Sequence, residues 1–374
     1  MSSHAMRTDA PATPRTRRAS RWAFSVGAAF AFAGALEWTA REVLPRESLP
    51  VLIAPLANLN TPDEFFRPDP TLLWALRPNV ADGLPNFWGD VTNSEGLRMR
   101  REVGPKDGRI RVVCFGDSCT YGLGVRVDDA WPNVLGADPA LDVVNAGVPV
   151  YSSYQGALYA DMRCPEWKPD VVVVEFGAND ATPWLQFDHG RVVAMTDVEI
   201  APHVRLDALL HKSALLGWIA ALTGTPKTHP VDPALLAAAR PRRGSRDLEM
   251  DAAGALMSND CAQLTPRVPP DVYRANLARI AAHAPLAIVL KWPRRRLLDP
   301  SLPDFMSPRR MAPYFEAMDA AVSDGADVVD VAAPLLASGL TADQAFVDVV
   351  HGTRAMSDLV AAAVRGKIRA RLRR

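Results

Sequence analysis

The chain has 374 residues, with 42 basic and 42 acidic side chains, 48% apolar and 22% charged content, the proportions of an ordinary globular protein. Intrinsic disorder and collagen-like structure are excluded, and a formal net charge of zero argues against a dedicated nucleic-acid partner, which would call for a basic excess. A chain this long can bury one large or two ordinary domains without a metal or disulfide staple, and four cysteines do not make a disulfide scaffold.

Residues 1–21 hold Arg7, Arg15, Arg17, Arg18 and Arg21 against Asp9 and lead into a 15-residue apolar run, Trp22–Leu36. A basic segment followed by an apolar one reads as a signal anchor over 22–40 or as a cleaved signal peptide, with a buried soluble helix as the bland alternative. The run is short beside the roughly 20 residues of a transmembrane helix, although Trp38 suits an interface. Ala33-Gly34-Ala35 fits a small-residue cleavage site. The Arg17-Arg18 pair stands as in a twin-arginine signal, but Ser20 occupies a place where an apolar residue is wanted. Both leading readings keep 1–21 in the cytosol and make the remainder extracytoplasmic, either membrane-anchored or secreted.

Neutrality is a cancellation. Residues 1–21 carry +4 and residues 365–374 carry +6, which leaves −10 for the body between them. The N-terminal excess is what the positive-inside rule expects. The basic C-terminal end is read as solvating the last helix, with contact to anionic lipid or glycan as the alternative. The preference for Arg over Lys, 36 to 6, is read as a sequence-wide bias.

Residues 41–108 are rich in proline and turn residues and read as a linker and an irregular lead-in. From Arg109 onward five short β-branched runs appear: Ile110–Phe115, Leu141–Asn145, Val171–Phe176, Leu286–Lys291 and Asp327–Val331. Nearly continuous apolar runs of this kind suit strands of a parallel sheet buried on both faces. Helices are predicted over Ala130–Leu135, Tyr154–Met162, Asp271–His283, Pro313–Ser323 and Arg354–Arg371. Alternation of strand and helix implies an α/β sandwich whose active groups gather at the carboxyl ends of the strands. An insertion, residues 188–267, interrupts the alternation between the third and fourth strands. It contains a predicted helix, Leu206–Leu222, and a Pro/Arg/Gly-rich span, Thr223–Arg246, and reads as a lid or a surface excursion. Cys114 reads as core packing. Cys164 and Cys261 either pair in an oxidising compartment or remain partly buried thiols.

Chemistry-bearing residues sit at the predicted strand ends. Gly116-Asp117-Ser118 follows the first strand, where a serine on a tight strand-to-helix turn is exposed and flanked by backbone N–H groups. The phosphate-loop and G-x-S-x-G patterns are both missing, since Thr120 replaces the last glycine of the latter. Asn145-Ala146-Gly147 ends the second strand, Gly177-Ala178-Asn179-Asp180 follows the third, and Asp348-Val349-Val350-His351 precedes the last helix. Each also has a bland reading: a turn glycine, a helix cap, a solvated pair. The other histidines (His4, His189, His203, His211, His229, His283) lack such company and read as incidental.

In order and placement these four blocks resemble the SGNH, or GDSL-type, serine esterases and acyltransferases over roughly residues 90–370. The segment Asn93–Arg98 also resembles one that precedes the serine block in exported members. The resemblance implies a three-layer α/β/α sandwich with a parallel, flavodoxin-like sheet, a catalytic domain over 109–374, Ser118 as nucleophile, His351 as base and Asp348 as the group orienting the imidazole. It implies an oxyanion hole of the Ser118 and Gly147 N–H groups with the Asn179 amide. Cys119 and Met356 depart from the usual pattern, and Met356 puts the start of the last helix in question.

The expected activity is hydrolysis of carboxylic esters, O-acetyl esters foremost, through an acyl-serine, on a small-molecule or glycan substrate. Transfer of the acyl group to or from an envelope glycan and a catalytically silent binding module on the same fold stay open. No cofactor and no metal ligand set are expected, because no His/Cys/Asp cluster has ligand spacing.

Overall fold

A computed structural model describes residues 14–43, 66–69, 71–80, 91–182, 184–188, 191–199, 201–202, 213, 215, 266–302 and 308–372. The chain divides into two units, residues 1–52 with 207–228, and residues 53–206 with 229–374. In the first, α1 (Pro14–Val43) extends the apolar stretch beyond the run legible in the sequence, giving a 19-residue span, Trp22–Ala40, long and apolar enough to cross a membrane. At 1.5 Å per residue that span is about 28 Å, close to the hydrocarbon thickness of a bilayer. Trp22, Phe24, Phe30, Phe32 and Trp38 are exposed along it. Within the same unit the Glu37 carboxylate accepts the Ser213 hydroxyl at 2.6 Å and the Leu215 N–H at 3.1 Å.

The second unit begins with an antiparallel hairpin, β1 (Phe66–Asp69) and β2 (Leu73–Leu76). This element was not legible in the lead-in, where the strands are four residues each and β1 contains Pro68. The main sheet comprises β3 (Ile110–Gly116), β4 (Leu141–Gly147), β5 (Val171–Glu175), β8 (Leu286–Lys291) and β9 (Asp327–Asp330). A second hairpin, β6 (Trp184–Asp188) and β7 (Arg191–Met195), lies between β5 and β8. The five main strands are parallel in the order β4-β3-β5-β8-β9. The chain steps outward from β3 in opposite directions, a topological switch point that opens a crevice at its carboxyl end.

Among the described residues the unit also carries helices α2 (Ser118–Tyr121), α3 (Trp131–Leu135), α4 (Ser153–Trp167), α5 (Ala178–Ala181), α6 (Pro270–Ala281), α7 (Pro308–Ala320), α8 (Ala332–Ala337), α9 (Ala342–Ala345) and α10 (Arg354–Leu372). Side chains alternate across each strand. Val112 and Cys114 therefore share one core with Trp131 and Leu135 of α3 and Met356, Val360 and Val364 of α10. Phe115 faces the other way, stacked on Trp167 and edge-on to Tyr159 of α4. The result is the expected three-layer α/β/α sandwich. Each fully buried Val, Leu or Phe in these layers contributes about 1.5–3 kcal/mol.

Two helices depart from their predicted ranges by five residues at one end. α7 starts five residues before Pro313 and carries that proline inside, because one lost N–H is tolerated when Met311, Tyr314 and Met318 are buried on one face. α4 runs on to Trp167 past Pro165 and stops at Lys168, whose left-handed backbone (φ 50°) ends the helix. Met356 is fully buried over Gly352, and α10 begins just before it as predicted. Cys114, Cys119 and Cys164 are buried free thiols, whereas Cys261 lies outside the described residues. The predicted helix Leu206–Leu222 and the span Thr223–Arg246 also lie outside them, apart from residues 213 and 215.

Candidate active site

The site is built on the carboxyl ends of β3, β4 and β5 and on the loop before α10. Ser118 is the first residue of α2, so its N–H has no partner within that helix. Asp117 caps the helix by accepting the Cys119 N–H at 2.8 Å. The turn is tight enough that a Cβ on Gly116 would lie 2.0 Å from Thr120 Oγ1. At the other end of α2, fully buried Arg98 donates to the Tyr121 carbonyl at 3.2 Å and stacks its guanidinium 4.2 Å from the Tyr121 ring. The lead-in segment therefore fastens the turn that carries Ser118.

Asp348 and His351 belong to a short loop closed by an antiparallel bridge between Phe346 and Gly352. Asp348 Oδ1 accepts the N–H groups of Val350 and His351 at 2.8 and 2.7 Å, and Oδ2 lies 2.6 Å from His351 Nδ1. His351 Nε2 lies 2.8 Å from Ser118 Oγ. The three side chains thus form one continuous line of hydrogen bonds. Burial pushes the Asp348 carboxyl up, but the imidazole and the two backbone N–H groups outweigh it and hold the group below the ordinary carboxylate range. The carboxylate is therefore ionised wherever an imidazole titrates. Trp292 Nε1 donates to the Val350 carbonyl at 2.8 Å and steadies this loop from the end of β8.

Asn179 sits in α5, which starts from Gly177 at φ 141°, a conformation that favours glycine. Its Nδ2 donates to Asp117 Oδ2 at 3.1 Å and to the Tyr151 carbonyl at 3.0 Å. Gly147 ends β4, and its N–H donates to Asn145 Oδ1 at 3.1 Å. A Cβ there would approach the Tyr121 nitrogen to 2.3 Å, so glycine is required for β4 to pack against α2. The structure thus brings all five predicted residues to one edge, with the Asn179 and Gly147 donors engaged by internal acceptors.

Several supporting residues were not singled out in the sequence. Tyr151, which receives Asn179, is held by its hydroxyl donating to the Trp74 carbonyl at 2.6 Å, so β2 braces the site. Val150 has a left-handed backbone (φ 67°), a strained state for a β-branched residue, and its carbonyl accepts from Arg267 at 2.9 Å. Arg267 pairs with buried Asp197 at 3.0 Å, which joins the two ends of the insertion next to the Tyr151 loop. An apolar recess beside Cys119, Ala178 and Val350 is lined by Trp292, Met311 and Phe315 among others. Asp117 and Glu175 are also buried here. A charged residue closing an otherwise apolar strand is the signal that would have exposed Glu175, since such acids are almost never buried without a partner.

A model of the GDSL-like lipase/acylhydrolase family matches residues 114–359, a span that contains Ser118, Gly147, Asn179, Asp348 and His351. No curated protein matches the chain. Among solved structures, TesA is 17% identical, with 70% of this chain and 99% of that chain covered at a TM-score of 0.39. The lipase/acylhydrolase from Enterococcus faecalis is 16% identical over 70% of this chain and 96% of that one, TM-score 0.40. The psychrotrophic esterase EstA from a Pseudoalteromonas species is 12% identical over 71% and 100%, TM-score 0.39. The chain belongs to the GDSL-like lipase/acylhydrolase family and is an enzyme of ester hydrolysis.

Proposed function

We propose that the enzyme is a serine esterase in which Ser118 is the nucleophile, His351 its general base and Asp348 the orienting carboxylate. The observation that carries this reading is the unbroken Ser118–His351–Asp348 line, at 2.8 and 2.6 Å. Nε2 takes the proton as Oγ attacks the ester carbonyl, and the imidazolium is stabilised by Asp348. The proton then passes to the departing alkoxide, and an acyl-serine is left. Water, deprotonated by the same imidazole, releases the acid and regenerates the hydroxyl.

Negative charge on the carbonyl oxygen is met by the N–H of Ser118, the Asn179 amide and the N–H of Gly147. Asn179 exchanges one of its two internal acceptors for the oxyanion, and Gly147 is released when Asn145 Oδ1 turns away. The recess lined by Trp292, Met311 and Phe315 suits a short uncharged acyl group, acetyl foremost. A sugar hydroxyl replacing water at the acyl-serine would make the enzyme an acyltransferase on an envelope glycan. The span Trp22–Ala40 acts as an anchor or export signal that places the catalytic unit outside the cytosol.

The test is hydrolysis of acetyl, longer acyl and thioester substrates by the full chain, with and without a glycan acceptor. Rapid turnover of acetyl esters supports this reading, acylated glycan without free acid supports transfer, and no turnover by folded protein supports a silent module. Turnover unchanged in Ser118→Ala would refute the nucleophile.

A further inference from the structure

The line ending on Asp348 leaves out the two acids nearest the nucleophile turn. Asp117 and Glu175 are 2% and 4% exposed, and one carboxyl oxygen of each and the Cys119 sulfur lie within 4.8 Å of one another. Asp117 holds the Cys119 N–H and Asn179 Nδ2, at 2.8 and 3.1 Å. Glu175 accepts the Thr120 hydroxyl at 3.0 Å, and a carboxyl oxygen of Glu175 lies within 4.8 Å of one of Asp117. Between them the two acids grip the two residues after Ser118 and the one side chain that donates into the proposed oxyanion site.

Two buried carboxyl groups this close repel when both are ionised, which favours one shared charge and one proton on the pair. Burial, and then the charge of Asp117, drive Glu175 well above the ordinary carboxylate range. Burial also raises Asp117, but backbone donation from Cys119 and the charge of His351 oppose it. Asp117 accepts an N–H on each of its two oxygens whereas Glu175 accepts a single hydroxyl, which favours the proton on Glu175. The other titratable groups facing the pair are Cys119 of α2, Tyr273 of α6, and Asp348 and His351 of the C-terminal loop.

Resting on the serine-esterase reading above, we propose that Glu175 is a positioning residue that, as a neutral acid, donates to Asp117 and thereby sets the separation between the Ser118 turn and the Asn179 amide. A half-neutralised pair lets Asn179 exchange Asp117 for the substrate oxyanion. A doubly ionised pair would hold the amide back and repel the oxyanion, so loss of the Glu175 proton switches the site off from below.

The experiment compares kcat and KM of the full-length wild type, Glu175→Ala and Glu175→Gln on p-nitrophenyl acetate from acid to alkaline pH. Glu175→Ala is expected to lower kcat about 30-fold with little change in KM, since the effect falls on oxyanion stabilisation. Glu175→Gln, which keeps an N–H donor toward Asp117, recovers about tenfold of that loss at neutral pH. The alkaline fall in wild-type kcat is absent in Glu175→Gln. Infrared difference spectra give a readout independent of turnover, in which the carbonyl band of a protonated carboxylic acid persists in the wild type at about pH 8 and is missing in Glu175→Gln.

A wild-type spectrum without that band, an alkaline limb shared by wild type and Glu175→Gln, or a kcat unmoved by Glu175→Ala overturns the role of Glu175. Any of these in an active wild type leaves the esterase reading standing. A folded wild type that neither turns over the ester nor reacts with a fluorophosphonate overturns that reading, and the role of Glu175 with it.

Discussion

At the amino ends of β3, β4 and β5 buried charge is matched with opposite charge, whereas at their carboxyl ends acid faces acid. Arg111 and Asp142, both nearly inaccessible, pair at 2.7 Å, and Arg111 also donates to the carbonyls of Trp167 and Gly104 at 2.9 and 2.6 Å. Arg101 adds a second cation to Asp142 at 2.6 Å. One sheet-length away, buried Asp117 and Glu175 stand with a carboxyl oxygen of each within 4.8 Å and, among the described residues, no guanidinium hydrogen-bonded to either, and His351 leans on Asp348. A matched pair holds the lower end at rest. An unmatched pair leaves hydrogen-bond donors that can be re-aimed at a substrate, as expected where perturbed acids gather at a functional edge.

That contrast can be broken at either end. Asp348→Asn should lower kcat/KM about 10⁴-fold with unchanged unfolding, because the imidazole loses its correct tautomer; a loss below tenfold would remove Asp348 from the mechanism. Arg111→Ala should do the reverse, costing about 3–5 kcal/mol in urea unfolding by stranding Asp142, with kcat per folded molecule preserved. An Arg111→Ala protein of wild-type stability would show that the lower pair is idle. Asn179→Ala should reduce kcat about 10²–10³-fold, the value of one oxyanion donor, and an effect confined to KM would move Asn179 from the oxyanion to substrate binding.

The smallest effect concerns Asp180. Burial pushes its carboxyl up to about 7, while it accepts the Ser153 N–H at 2.9 Å. The native state then keeps a proton that the unfolded chain has released above about pH 4, so stability falls as pH rises toward 7 and levels off beyond it. Asp180→Asn lacks that titration. The stability gap between the two proteins should shift in favour of Asn by about 2 kcal/mol between about pH 5 and pH 7, and a gap constant with pH would place the carboxyl's titration elsewhere.

Much of this architecture was readable from the chain. The β-branched runs of β3, β5 and β8 mark buried parallel strands with no competing period, and their order set the candidate residues at one edge. Asp348 and His351 were readable as a pair because three residues on one loop suffice to join carboxylate and imidazole. Other features were not, for identifiable reasons. The β1–β2 hairpin consists of four-residue strands too short for a period, and its role depends on Trp74 meeting Tyr151, 77 positions away. Glu175 looked like the end of a strand, because its partner Asp117 adjoins it only through the β3–β5 register, Gly116 opposite Glu175. Gly147 was read as an oxyanion donor with a turn glycine as the bland alternative, whereas its need to be glycine arises from the distance between β4 and α2. In each case the missing information was a contact across the sheet, which no local pattern encodes.

The central claim is that Ser118, activated through His351 and Asp348, forms the covalent bond to the substrate. Its most direct measurement is intact-mass and peptide mapping of the full-length protein after exposure to a fluorophosphonate. A single adduct is expected on the peptide containing Ser118, lost in Ser118→Ala and strongly slowed in Asp348→Asn. An adduct of equal yield in Ser118→Ala, or none on folded wild type, would contradict it.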